Sequence, residues 1–225
     1  MAQIRSTPSP KLELFTVFAG VARALGNPHR LDLLEQLAQG EKAVEALASK
    51  ADLSFANASQ HLRVLHRAGL VTADRRGKQV VYRLASQDVH DLLAALRQVA
   101  ERHADGAQRV VDDYFRSRDR LHPVGFDELE RKMADGLVTV LDVRPGDEFV
   151  QGHLPGALNI PLAELQSRLG GLPLERDVVA YCRGPWCVLA FEAVALLRAA
   201  GRTAHRLDGG LPEWRRSGRP VIAAA

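Results

Sequence analysis

The sequence predicts two domains in one chain: a mainly α domain carrying one β-hairpin, followed by an α/β domain with a mainly parallel sheet. Three observations predict this. Apolar residues recur at helical spacing through most of the first half of the chain. One stretch there, LVTADRRGKQVVYRLA (70–85), instead alternates apolar and polar residues on both sides of Arg76-Gly77, the pattern of a hairpin. In the second half, β-branched runs alternate with helical segments, as parallel strands do with crossover helices. A chain of 225 residues suits one large or two small domains, and 46% hydrophobic with 25% charged residues is ordinary for a globular core.

Residues 1–10 are polar and contain Pro8 and Pro10, so a frayed tail is expected. From Lys11, Leu14, Val17, Phe18, Val21 and Leu25 recur at helical spacing. Gly26-Asn27-Pro28 stops that helix and starts a second, with Asn27 as N-cap and Pro28 at the first helical position. The second helix is expected to bury Leu31, Leu34 and Leu37 and to end at Gly40. A third covers 42–50 with Val44 and Leu47 inward, and a tight turn holds Ala51-Asp52-Leu53. Ser54 caps a fourth helix that runs to Arg67 and closes at Gly69. After the hairpin, a long helix is expected from Ser86 to Phe115, with Leu92, Leu93, Leu96 and Val99 as its apolar stripe.

SRDRLHPVG (117–125) is charged and broken by Pro123 and Gly125, which makes it the linker. The expected limits are 1–116 for the first domain, 117–124 for the linker and 125–225 for the second domain. There, LVTVLDV (137–143) and DVVAYC (177–182) read as strands buried on both faces, FEAVALLRAAG (191–201) as a helix and TAHRLDGG (203–210) as a third strand.

The only cysteines are Cys182 and Cys187. They are too few and too close for a secreted disulfide scaffold, so both are expected to be thiols in a reducing compartment. The N-terminus lacks the pattern of a signal peptide and no run of 18 apolar residues occurs, so the expected location is cytoplasmic, with no membrane partner. Charge is uneven. Arg63, Arg67, Arg75, Arg76, Lys78 and Arg83 stand against Asp74 alone between Ser54 and Arg83, a net +5 against +3 for the whole chain.

Two short helices with a tight turn, then a basic hairpin, are the parts of a winged helix-turn-helix. Ala58, Leu62 and Leu65 share one face of the fourth helix and should pack inward. Ser54, Asn57, Ser59, Gln60, His61 and Arg63 are then the residues expected to face double-stranded DNA, with amides suited to adenine edges and Arg63 to guanine. Arg75, Arg76 and Lys78 suit phosphate contact, which supplies affinity and register.

With ALGNPHRLDLLEQL (24–37), LSFANASQHLRVLHRAGLV (53–71) and RRGKQVVYRL (75–84), this half resembles the ArsR/SmtB family of bacterial repressors over about residues 12–103. The resemblance implies a homodimer held by the first and last helices, bound to an inverted-repeat operator. Members that sense arsenite or lead use cysteines near the third helix, and EKAVEALASKAD has none. A zinc pattern of the family is matched by Asp88 and His90, but Glu101 stands where His is usual, Ala104 fills the next ligand position and His103 is one residue out of step. No metal site and no cofactor are expected on this basis.

The second half resembles rhodanese domains over about residues 121–225, through LDVRPGDEFVQGHLPGALNIP (141–161), VVAYCRGPWCVLAFEAVALLRAAG (178–201) and LDGGLPEWRRSGRPV (207–221). Cys182 follows a buried strand, and a helix starts near Val188. A loop of this kind aims main-chain N–H groups at one point, which favours the Cys182 thiolate and an added sulfur on it. Cys182 is thus the expected nucleophile toward small sulfane sulfur donors, passing sulfur on to acceptor thiols. The rest of its loop is Arg183, Gly184, Pro185, Trp186, Cys187 and Val188. Arg183 is expected to add positive charge at the mouth and Trp186 to shape one wall. Cell-cycle phosphatases share this fold with a longer loop ending in Arg; no Arg occurs here between Gly184 and Arg198, which favours sulfur over phosphoryl chemistry. Pro185 removes one N–H donor. Cys187 either resolves a persulfide or is a small buried apolar residue. Asp142 and Arg144 are expected to form structural ion pairs, His153 to hold a turn and Trp214 to pack in the core.

The expected function is a DNA-binding transcriptional regulator, most simply a repressor, that forms a persulfide on Cys182 and senses or transfers sulfane sulfur. The alternatives are a sulfurtransferase with an autoregulatory DNA-binding domain, and a metal-sensing repressor with an inactive rhodanese domain.

Overall fold

The computed structural model describes residues 9–116 and 122–223. Residues 1–8 of the expected tail and 117–121 of the expected linker lie outside the described residues. The chain divides into two compact units, Met1–Val89 and His90–Ala225.

In the first unit, α1 (Pro10–Leu25), α2 (Pro28–Ala38), α3 (Val44–Lys50) and α4 (Phe55–Arg67) surround a three-stranded sheet. Asn27 accepts from the Arg30 N–H and so caps α2. The Arg30 guanidinium reaches back to donate to the carbonyls of Arg23 and Ala24 at the end of α1. Leu33, Leu34 and Leu37 form the buried face of α2; Leu31, expected inside, is only partly buried because the face turns toward Leu33. The expected third helix is shorter than 42–50. Lys42–Ala43 forms β1, which pairs antiparallel with β3 (Gln79–Leu84) and leaves Val44 to begin α3. Asp52 takes positive φ in the turn between α3 and α4. β2 (Val71–Arg76) and β3 pair from Val71↔Leu84 to Arg76↔Gln79, so Gly77 and Lys78 make the two-residue tip, where Gly77 supplies the positive φ.

The long helix expected to Phe115 is broken. α5 (Gln87–His103) stops at Ala104, whose extended backbone opens α6 (Asp105–Val110), followed by a π-helical turn at Val111–Arg116. The break falls immediately before Asp105-Gly106, two residues of low helix propensity.

The second unit is built on a parallel sheet ordered β5-β4-β6-β7, where β4 is Val138–Asp142, β5 Leu158–Asn159, β6 Asp177–Cys182 and β7 Ala204–Gly210. α9 (Leu162–Arg168) and α10 (Val188–Ala199) pack on one face; α7 (Phe126–Ala134) and α11 (Leu211–Arg216) pack on the other. The two-residue period of β6 sends Val178, Ala180 and Cys182 into the α10 core, and Val179 and Tyr181 into the α11 core with Trp214. A short α8 (Gly146–Phe149) follows β4.

Asp142 and Arg144 are both fully buried. Arg144 donates from its main-chain N–H and guanidinium to the Asp142 carboxylate, and from Nη2 to the Gly152 carbonyl at 2.7 Å. Burial is the largest single influence and opposes the Arg144 charge, but the Asp142 hydrogen bonds together with the negative charges of Asp142 and Glu148 outweigh it and hold the guanidinium protonated. Asp142→Ala should therefore cost about 3–5 kcal/mol, since it strands a buried charge. Denaturant unfolding of the full chain, compared with an Asp142→Ala/Arg144→Met double variant that removes both charges, measures it. The double variant should recover part of the loss; equal stability of Asp142→Ala and the parent chain would contradict the ion-pair role.

Candidate functional site: the cysteine loop and helix α4

On α4, Ala58, Leu62 and Leu65 are fully buried, as their spacing predicts. Ser54 accepts from the Asn57 N–H at 3.3 Å and caps the helix. Asn57, Gln60 and Arg63 are exposed, while Ser59 and His61 are partly buried. Arg63 donates to the Ser59 hydroxyl at 3.1 Å. The His61 ring lies 5.7 Å from that of His29, and burial, then Arg30, hold its imidazole below the ordinary histidine range. Arg75 and Lys78 are exposed at the hairpin tip. The Arg76 guanidinium forms a two-pronged pair with Glu41 at the surface, a partner that sequence reading missed because it lies 35 residues away.

The second unit brings Cys182 and Cys187 together. β6 ends at Cys182, α10 begins at Val188, and the intervening turn folds so tightly that the two Cα atoms are 6.1 Å apart. The side chains are joined as a disulfide. This corrects the expectation of two thiols: composition argues from compartment, whereas the loop geometry sets both sulfurs in one core, within disulfide reach. Cys182 is 0% exposed and Cys187 is 8% exposed. The Cys187 N–H donates to the Gly184 carbonyl at 3.2 Å.

Arg183 is likewise not a bare charge at the mouth. It donates from Nε and Nη2 at 3.0 and 2.8 Å to the carboxylate of Glu148, a fully buried residue of α8. Glu148 was invisible to sequence reading because only the fold brings α8 beside the loop. Trp186 is partly buried, and its Nε1–H donates to the Glu101 carboxylate on α5. Glu101, weighed above for a metal pattern, is here the acceptor for the loop's Trp186. Burial, then Arg215, hold the His90 imidazole below the ordinary histidine range. No group of three or more His, Cys, Asp or Glu side chains able to hold a metal ion occurs among the described residues.

A second layer backs the loop. Gly210, paired with Cys182 across β6 and β7, lies so close that a Cβ there would sit 2.5 Å from both the Cys182 carbonyl oxygen and the Gly184 nitrogen. Its N–H donates to Glu213 at 3.0 Å, and the other oxygen of Glu213 accepts from Arg97 of α5 at 3.2 Å. His153 stacks on Phe149 and bonds to its carbonyl, and Trp214 is buried, so both hold structure as expected.

A helix-turn-helix with a β-hairpin wing, joined to a parallel α/β domain with cysteines after its central strand, defines a two-part regulator. The rhodanese-like domain family matches residues 125–217 and a helix-turn-helix domain family matches residues 25–73. The HTH-type transcriptional regulator Rv0324 of Mycobacterium tuberculosis is 46% identical over 216 residues, 96% of this chain and 94% of the relative. This chain belongs to that family, in which an ArsR/SmtB-type winged helix-turn-helix is fused to a rhodanese-like domain. A sulfurtransferase of Allochromatium vinosum is 33% identical over 106 residues, 46% of this chain and 96% of the relative. The winged helix-turn-helix domain of Mb0332 from Mycobacterium bovis, described as homodimeric and DNA-binding, superposes with TM-score 0.41 at 40% identity over 47% of this chain and 95% of that one. Among the described residues, no helix is long and apolar enough to cross a membrane.

Proposed function

We propose that this protein is a transcriptional repressor whose DNA affinity follows the sulfur state of Cys182 and Cys187. The observation that carries the reading is that the chain's only two cysteines meet, joined, in the loop after β6. The disulfide is the end state of the cycle. In the reduced protein the Cys182 thiolate attacks a sulfane sulfur, forms Cys182–S–SH and releases the donor's remainder as a thiolate. The Cys187 thiolate then attacks Cys182 Sγ, expels hydrosulfide and closes the disulfide, and a thiol reductant resets the pair. Burial of Cys182 requires the loop to open for loading.

The DNA side is residues 1–116, with Ser54, Asn57, Ser59, Gln60, His61 and Arg63 at the major groove and Arg75, Arg76 and Lys78 on phosphates. The Arg76–Glu41 pair is exposed and screened by solvent, so a phosphate displaces Glu41 at little cost. A homodimer explains the apolar side chains that the single chain leaves at the surface, Leu14, Val17 and Phe18 on α1 and Leu96 and Val99 on α5. Residues 125–225 form the sulfur-handling part.

The test measures operator binding by the reduced full chain before and after polysulfide, with intact-mass detection of sulfur. Binding should weaken about tenfold or more, a shift typical of allosteric coupling, as Cys182 is modified. Unchanged binding by fully modified protein would reject the reading. A second reading, sulfur transfer as the main activity, draws on the likeness to the Allochromatium protein; sustained thiosulfate:cyanide turnover with operator binding indifferent to sulfur donors would favour it.

A further inference from the structure

Beside the cysteine loop the second unit contains a cleft of about 810 Å³, a size suited to a small organic ligand. Its apolar surface is a cluster of three rings: Phe115 lies 5.1 Å from Trp186 and 4.8 Å from Phe191, and Trp186 and Phe191 are parallel. Around the rings stand three guanidinium groups, Arg97, Arg206 and Arg216, and three carboxylates, Glu101, Asp208 and Glu213. Three of these groups are tied to the loop and its backing. Glu101 holds Trp186, and Glu213 links Arg97 to Gly210, the residue packed on Cys182. The Arg206 guanidinium lies 3.7 Å from the Phe191 ring centroid, a cation–π contact. Arg216 and Asp208 face solvent at the rim.

This lining selects by charge pattern. An inorganic anion such as thiosulfate gains from the guanidinium groups but meets as many carboxylates, and it covers none of the rings. A zwitterion can place its carboxylate on Arg216 and its ammonium on Asp208, the two charges that face solvent at the rim, and lay its uncharged middle over the aromatic cluster. We infer that the cleft binds the organic sulfur carrier itself, a zwitterionic thiol of amino-acid or short-peptide type, with its sulfur at the Pro185–Trp186 edge next to Cys187. The carrier's sulfur chemistry rests on the function proposed above; the binding does not. A carrier so placed touches α5 through Ala94, Arg97 and Gln98 and the cysteine loop through Trp186 at once.

The experiment uses the full chain with Cys182→Ser and Cys187→Ser, so that no sulfur chemistry contributes. S-Methylglutathione, a zwitterionic peptide that can neither donate sulfur nor be oxidised to a disulfide, is titrated by calorimetry. Saturable binding is expected, weakened about tenfold by Ala94→Phe, which fills the cleft from α5, and not displaced by thiosulfate. Arg216→Ala at the rim serves as the second variant if Ala94→Phe does not fold, with loss of affinity again expected. Absence of saturable binding, affinity unchanged by the variants, or displacement by thiosulfate overturns the inference. Binding as expected, in a protein whose native form does not change operator affinity with polysulfide, would reject the proposed function and leave the cleft assignment standing.

Discussion

Cys187→Ser is expected to turn a transient persulfide into a stable one. On the proposed cycle, sulfur added to Cys182 of the reduced parent chain should be expelled as hydrosulfide when Cys187 closes the disulfide. Without the second thiol there is no intramolecular leaving step, so polysulfide treatment should leave roughly one added sulfur atom per chain, where the parent retains little and loses two hydrogens instead. Cys182→Ser should take up no sulfur on this loop and form no disulfide. Intact-mass measurement with a sulfide assay distinguishes the three proteins. Equal hydrosulfide release from Cys187→Ser and the parent would show that Cys187 resolves nothing, leaving it a buried apolar residue of the α10 core.

Gly210→Ala should be the most damaging single methyl group that can be added near the loop. The new Cβ would lie 2.5 Å from the Cys182 carbonyl oxygen and the Gly184 nitrogen and 2.6 Å from the Arg183 carbonyl carbon. All three are main-chain atoms between a strand and a helix, so no flexible side chain can swing aside. Overpacking of this kind costs about 3 kcal/mol, roughly 10 °C in the melting temperature of the second unit. Gly170→Ala is the control, because nothing lies within 4 Å of its Cβ position and its φ is not positive; that substitution should leave the melting temperature nearly unchanged. A thermal melt of the full chain that shows Gly210→Ala as tolerant as Gly170→Ala would refute the close approach of β7 to the loop.

The elements best read from sequence are those where local signals agree. Asn27-Pro28 and Ser54 each combine a capping side chain with a following helical period, and both helices start there. DVVAYC is bounded by charge on one side and by the loop on the other, and it is β6 residue for residue. The expected long helix failed at Ala104 because the apolar stripe set by Leu92, Leu96 and Val99 says nothing about where the backbone leaves the helix. Those leucines and Val99 are partly or largely exposed in the single chain. The period identified a face and could not say what covers it.

The candidate site was half legible. Cys182 and its loop neighbours are contiguous, and a strand followed by a helix announces such a turn. Glu148, Glu101, Gly210 and Glu213 were not legible in that role, since each reaches the loop from a different element.

By itself the sequence determined the two-domain order, the inward faces of α4 and β6, and the loop that holds both cysteines, because these follow from local periodicity and capping along contiguous residues. Only the tertiary structure decided that Cys182 is buried and bonded to Cys187, that Arg183 is neutralised by Glu148, and that Trp186 is held by α5. Those outcomes depend on which distant groups the sheet and its crossovers bring within hydrogen-bonding or covalent reach, and sequence spacing carries no record of such distances.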